Sequence, residues 1–292
     1  MRSLLARADA RLTAPGPAYR LIEVHTLVAL VIGLRLATRD WTLVAARPAV
    51  LTDGLSVMSW LPTAPPALAL TALQVVGLGG VVLVVARRRA QAGFVVAWCA
   101  YTALAALWGS SGKVMHNDVL TVTVGFVLLF ARPPAPGEVG SRVRWGWPPR
   151  AALVVLGAVY LTTGLQKVRH SGLDWVFSDN MAWILRQGSS PYAAGLSAVV
   201  SEQPLVSRSL AGGALLLELS APLWLAVRRT RIPFALAVAV MHLSIWLLLG
   251  LDYSAWWLTV AAVAVPLGLP PGRRLVDVPG ALRVRWPVRQ PS

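Results

Sequence analysis

The sequence predicts an all-α, polytopic membrane helix bundle of about eight transmembrane helices. Three observations predict it. The 292 residues are 56% hydrophobic but only 13% charged, where soluble domains carry about 25% charged residues; the mean hydropathy is +0.63. Several apolar runs approach the roughly 20 residues needed to cross a bilayer. The basic residues gather between those runs, as the positive-inside rule expects.

In chain order the spans fall at approximately 21–38, 66–86, 93–108, 117–131, 151–167, 209–227, 232–250 and 254–269. The first opens only after Arg20 and has no small-residue cleavage site soon after it, so it reads as a span and not as a cleavable signal. The third and fourth are short. With the N-terminus inside, nineteen of the 27 basic residues lie on inner segments and six on outer ones, while Arg35 and Lys167 fall within or at the ends of spans. That asymmetry predicts an even number of spans with both ends cytoplasmic, in the plasma membrane. The chain divides into a cytoplasmic N-terminus (1–20), one membrane domain (21–270) and a basic cytoplasmic tail (271–292). The net charge of +15 is accounted for by these topogenic arginines, so no nucleic-acid partner is expected. The single Cys99 excludes an intrachain disulfide. Outer segments 39–65 and 168–208 are long and rich in tryptophan, which favours the membrane interface. Segment 174–187 suits a short amphipathic helix on the outer leaflet.

A charged or polar group inside a span is costly and is by default a functional hypothesis. Lys167 ends an apolar run that begins near Ala151, within YLTTGLQKVRHSGLDWVF. A lysine held in a dry setting can shed its proton and serve as a base. Tyr160 lies seven residues earlier, two helical turns away on the same face. Arg35 either snorkels to the outer interface or pairs with an anionic group. His116, in GSSGKVMHNDVL, is either a helix-end residue or a proton relay, with Asn117 and Asp118 available as local caps. Glu218 and His242 are central in the sixth and seventh spans; they bond to each other or to a ligand. Gly212 and Gly213 offer a close helix approach. The four histidines fall in different segments without paired spacing, so no metal site is expected. No phosphate loop or serine-nucleophile elbow appears.

In this order the residues resemble the HTTM family (horizontally transferred transmembrane domain), and through it the membrane part of vitamin K-dependent gamma-glutamyl carboxylases. Three segments carry the resemblance: Tyr160–Trp175, the MHNDVL of Met115–Leu120, and GGALLLELS of Gly212–Ser220 followed by His242 and Gly250–Tyr253. Arg35 is similar to the arginine of the family's first span. The resemblance spans most of residues 21–270. It implies that Lys167 is the base that activates a reduced vitamin K-type (menaquinol-like) quinone, with O2 and CO2 as co-substrates and no metal. It implies that His116 assists carboxylation, and that Tyr160, His242, Glu218, Arg35 and Trp175 lie near the quinone or a peptide or small carboxylate substrate. Gln166 stands where the carboxylases have a second lysine, Met115 replaces an asparagine and Glu218 an aspartate. Only a short tail follows residue 270, where the carboxylases continue into a large lumenal domain.

Carboxylating a carbon beside a carboxylate needs a base far stronger than any side chain. The protein's share is to deprotonate the hydroquinone, exclude water and hold the substrate close. Two other readings stay open on sequence grounds: a quinone- or lipid-binding protein without catalysis, and a transporter. The transporter reading lacks a pair of broken helices in matching halves.

Overall fold

The computed structural model describes residues 2–48, 60–61, 63–110, 116–188 and 190–277. Most of the basic tail, Lys113 and Met115 lie outside the described residues. The protein is an all-α bundle. Each of the eight expected spans is a helix: α2 (Ala18–Thr38), α3 (Ala67–Val85), α4 (Ala90–Gly109), α5 (Val119–Leu128), α6 (Val143–Ser171), α10 (Pro204–Ala226), α11 (Arg231–Leu249) and α12 (Ser254–Gly268). Four shorter helices complete it: α1 (Arg2–Leu12), α7 (Asp174–Phe177), α8 (Asn180–Gln187) and α9 (Ala194–Ser201). Two-residue strands β1 (Gly16–Pro17) and β2 (Ser141–Arg142) pair antiparallel.

Six of the eight are long and apolar enough to cross a membrane; α5 and α12 are shorter. At 1.5 Å per residue, α5 reaches about 15 Å and α12 about 22 Å, against a hydrocarbon core of about 30 Å. Their ends therefore cannot rely on headgroups at both faces. Backbone that leaves a helix at membrane depth survives only where protein covers it or a cavity receives it. The start of α12 meets that condition: the Ser254 N–H, which has no partner inside the helix, donates to Asp252 Oδ1 (2.9 Å).

α2 is the most buried of the six long helices, with half of its apolar stretch inside, and it runs through the centre beside α12. At one end Arg20 donates to the carbonyls of Pro270 (3.2 Å) and Arg273 (2.8 Å) and pairs with Glu23 (2.7 Å). The outer helices carry their leucines outward: Leu68, Leu216 and Leu223 are exposed, as lipid-facing positions require.

The fifth span is longer than its prolines suggest. Expected to begin near Ala151, it starts at Val143 and runs through Pro148 and Pro149. Proline inside a helix removes backbone bonds, but this end is tied down from outside. Arg142 pairs with Gly16 across the β1–β2 bridge, and the Arg150 guanidinium donates to the carbonyls of Ala14 and Pro15. The amphipathic segment 174–187 is two helices, not one. Ser178 breaks it: its hydroxyl donates to the Asp174 carbonyl (2.5 Å) and accepts from the Asn180 N–H (3.2 Å). Such local bonds compete with the helix.

Candidate functional site

Lys167 stands near the end of α6 and Glu218 past the middle of α10. The two helices meet at Gly164, one turn before the lysine. A β-carbon there would lie 2.9 Å from Leu219 Cδ2 and 3.1 Å from Glu218 Cβ, so any larger residue would make Leu219 and Glu218 shift. The Lys167 Nζ then donates to Glu218 Oε1 at 2.5 Å. The ammonium also sits 5.0 Å from the centre of the Trp175 ring, a cation–π distance. Gly212 and Gly213 do not make the expected close approach: a β-carbon at Gly213 would meet nothing within 4 Å, and one at Gly212 only Val176 at 3.4 Å. The narrow point is on the opposite helix.

His242, on α11, does not bond to Glu218. Its Nε2 lies 3.1 Å from the Tyr160 hydroxyl, and Tyr160 is buried. Either atom can be the donor, according to the tautomer of the His242 ring; where the tyrosine donates, the ring hydrogen sits on Nδ1. His242 also stacks on Tyr253, with ring centres 5.4 Å apart. Tyr253 in turn reaches His116: its hydroxyl is 3.0 Å from His116 Nε2. Burial, and then the nearby Glu218 carboxylate, hold the Tyr253 phenol above its ordinary value, so it stays neutral. Gly250, in the left-handed region at φ 70°, ends α11 and turns the chain so that Tyr253 and Trp256 face these groups.

One cavity of about 820 Å³ joins them, within the range of small-molecule sites. It lies between α10 and α11 under α7 and α8, and His116, Lys167, Trp175, Glu218, His242 and Tyr253 all line it. Tyr160 stands behind His242. Most of the remaining wall is leucine, isoleucine, methionine and tryptophan. Two of the lining residues, Leu216 on α10 and Val240 on α11, are apolar and exposed. Three buried polar atoms on its lining residues have no hydrogen-bond partner among the described residues: Glu218 Oε2, His242 Nδ1 and Trp175 Nε1. Buried polar groups are nearly always bonded to protein or ordered water, so these three atoms hold bonding capacity that the described residues leave unused.

Arg35 is not part of this cavity, and it does not snorkel. It is 3% exposed. Its Nε donates to Asp118 Oδ1 (3.2 Å) and its Nη1 to Asp252 and to Ser254 Oγ (3.0 Å). Arg39 and Tyr101 complete the Asp118 carboxylate at 2.6 and 2.7 Å. Asp118 therefore does not cap α5 with its side chain; the arginines and the tyrosine take its oxygens. Asn117 instead holds the Asp252 carbonyl at 2.8 Å.

The sequence groups Lys167, His116, Tyr160, His242, Glu218, Arg35 and Trp175; of these Tyr160 and Arg35 do not line the cavity, while Tyr253 and Trp256, which the sequence does not single out, do. Lys167 reads from the sequence as an uncharged lysine in a dry setting that a glutamate on another span could share; the structure makes that glutamate Glu218 and pairs the two directly. Among the described residues no three His, Cys, Asp or Glu side chains are grouped to hold a metal ion. No family model, curated protein or solved structure matches the chain.

Proposed function

We propose that the protein is a multi-pass enzyme of the plasma membrane, HTTM-like, that takes a reduced naphthoquinone from the lipid phase into the α10–α11 cavity. The observation that carries this reading is the set of three orphaned atoms. Glu218 Oε2 is an acceptor and Trp175 Nε1–H a donor, and His242 Nδ1–H is a second donor when Tyr160 donates to Nε2. A ligand that satisfies them has a flat apolar body, one hydroxyl to donate and one oxygen to accept. A hydroquinone head is such a ligand, and the apolar wall suits its hydrocarbon tail.

The residues divide the work. Lys167 passes a proton to Glu218 along their 2.5 Å hydrogen bond and becomes a neutral amine. The amine takes the proton of the bound hydroxyl, so the pair gains one proton and the ligand oxygen is left negative beside it. His242, held by Tyr160, and Trp175 keep the ring oriented. His116, hydrogen-bonded to Tyr253 at the cavity's edge, moves protons to and from the outer aqueous side. When bound, a reduced naphthoquinone supplies with O2 the strong base that fixing CO2 beside a carboxylate requires.

Oxygen-dependent turnover of a reduced naphthoquinone, followed with labelled CO2, tests this in purified wild type, Lys167→Ala and Lys167→Arg. Both variants should be inactive yet folded, because a guanidinium cannot give up its proton at working pH. Equal turnover in all three would remove Lys167 from the mechanism. Binding without oxygen uptake would leave a quinone-binding protein, which the apolar wall also suits. The arginine asymmetry supports a cytoplasmic position for both termini; a reporter fused after Gly188 should report the outer side.

A further inference from the structure

A second cavity, of about 450 Å³, lies at the other end of the bundle. It is framed by the start of α2, the tight α3–α4 turn and the connection from α5 to α6. We propose that it binds the phosphate of an anionic phospholipid from the leaflet at that end. Four arginines line it, Arg87, Arg89, Arg132 and Arg144, against one carboxylate, Glu138. Glu138 is already taken by Arg144 at 3.0 Å. Arg87 holds the Pro134 carbonyl at 3.2 Å, which fixes the proline-rich wall to the turn. Among the described residues Arg89 and Arg132 make no ion pair.

The turn itself is unusual. Arg87 and Arg89 both have left-handed backbone, at φ 56° and 52°, where glycine or asparagine is the common choice. Strain of this kind persists where the surroundings require the side chain; here it keeps two guanidinium groups at the cavity's rim. The floor is polar at one point. His25 is buried, and although the Gln91 amide is beside its ring, neither His25 Nε2 nor Gln91 Oε1 completes a hydrogen bond. Apart from Thr26, the rest of the wall, including Ile22 and Val84, is apolar.

Guanidinium forks match phosphate oxygens. Basic pockets between membrane helices take anionic lipid headgroups. Inorganic phosphate would present the same oxygens, but it would leave the apolar wall uncovered; a glycerophospholipid covers both. A general affinity of inner-face arginines for lipid does not explain the arrangement. The neighbouring turn with Arg228 and Arg229 carries the same charge at the same end of the bundle, and neither residue lines this cavity.

Native mass spectrometry of the full chain tests the site, with dioleoylphosphatidylglycerol, dioleoylphosphatidylcholine or inorganic phosphate added separately. Wild type should retain one phosphatidylglycerol and no phosphatidylcholine. The double variant Arg89→Gln/Arg132→Gln should bind phosphatidylglycerol at least about tenfold more weakly. Arg228→Gln/Arg229→Gln, with the same change in charge, should bind as wild type does. Should the first double variant not fold, Arg132→Gln alone, at an exposed position, should show a smaller loss in the same direction. Binding of inorganic phosphate that the same variant abolishes, without retained lipid, would keep the phosphate site but assign it to a soluble anion. Retention unchanged in Arg89→Gln/Arg132→Gln, equal losses in the two double variants, or equal retention of phosphatidylcholine would overturn the proposal.

Discussion

Two clusters of charged and aromatic side chains sit at one end of this bundle, built from similar residues and finished differently. Around Arg35, each carboxylate oxygen of Asp118 has a donor, and Asp252 is held by Arg35 and by Ser254. Around Lys167, the ion pair is made, but Glu218 Oε2, His242 Nδ1 and Trp175 Nε1, buried atoms of residues that line the cavity, have no partner among the described residues. The first cluster joins α2, α5 and the start of α12 and leaves one arginine nitrogen unmet, Arg35 Nη2. The second leaves three atoms unmet on residues that line one cavity. A charge inside a membrane bundle is thus not a functional site by residue type alone. What distinguishes the two is how much bonding capacity remains once the protein's own partners are counted.

The comparison breaks most visibly at Arg35. Removing one partner of a buried pair leaves uncompensated charge and costs about 3–5 kcal/mol. Arg35→Leu should therefore show the largest loss of stability of any variant discussed here, read as a fall in the unfolding midpoint in detergent. Arg35→Lys should recover only part of it, because one ammonium cannot serve Asp118 and Asp252 in the fork geometry. A wild-type midpoint for Arg35→Leu would mean that the cluster holds nothing together.

Glu218→Gln should do the reverse. Lys167 is 22% exposed at its side chain and can turn to water, so the unfolding midpoint should move little. Hydrogen bonds to charged groups contribute about 1.5–3 kcal/mol, so affinity for a reduced naphthoquinone should fall roughly ten- to a hundredfold. Anaerobic titration of the purified protein measures it. Unchanged affinity would place the ligand elsewhere, whatever the fate of the lysine.

Much of the bundle was legible because apolar runs and arginine-rich links are local features. All eight helices fall where the runs do. The residues that fail are those decided by contacts distant in sequence. The fifth run reads as beginning near Ala151, and only the β1–β2 bridge and Arg150 show why α6 starts at Val143 and continues through Pro148 and Pro149. Gly212–Gly213 read as the packing point, and the neighbour that actually crowds is Gly164 on another helix. Lys167, Glu218, His242 and Tyr160 were each recognisable as polar groups in apolar spans. Their pairing as Lys167–Glu218 and Tyr160–His242 was not, since nothing in one chain's spacing chooses among partners on three helices.

The tyrosine offers a finer comparison within the cavity. Tyr160→Phe deletes one buried hydrogen bond, worth about 0.5–1.5 kcal/mol, and leaves His242 Nε2 without that partner. Stability should fall by about that amount. Naphthoquinone affinity should weaken severalfold, less than in Glu218→Gln, because the ligand keeps the Glu218 and Trp175 contacts. A loss equal to that of Glu218→Gln would make Tyr160 a direct ligand contact and not a support for His242.

The smallest effect should come from acid, and it belongs to the other cluster. Burial pushes the Asp252 carboxyl up, but the Ser254 hydroxyl and N–H and the Arg35 guanidinium outweigh it and hold Asp252 below the usual carboxylate range. A group whose value is lowered by folding contributes stability above its unfolded value and loses it as pH falls through the folded one. The unfolded value is about 3.9. The Asp252 contribution should thus be complete from neutral pH down to about pH 5 and decline below about pH 4. The Asp252 side chain is 46% exposed, so solvent screens the pair and the change is modest. Other carboxylates titrate in the same range, so the informative quantity is the difference in unfolding midpoint between wild type and Asp252→Asn. That difference should be level between pH 7 and about pH 5 and shrink as the wild-type carboxylate takes its proton. A difference that stays constant or grows down to about pH 3 would show that Asp252 contributes no charge to the Arg35 cluster, leaving Asp118 as the counter-ion on which α2 depends.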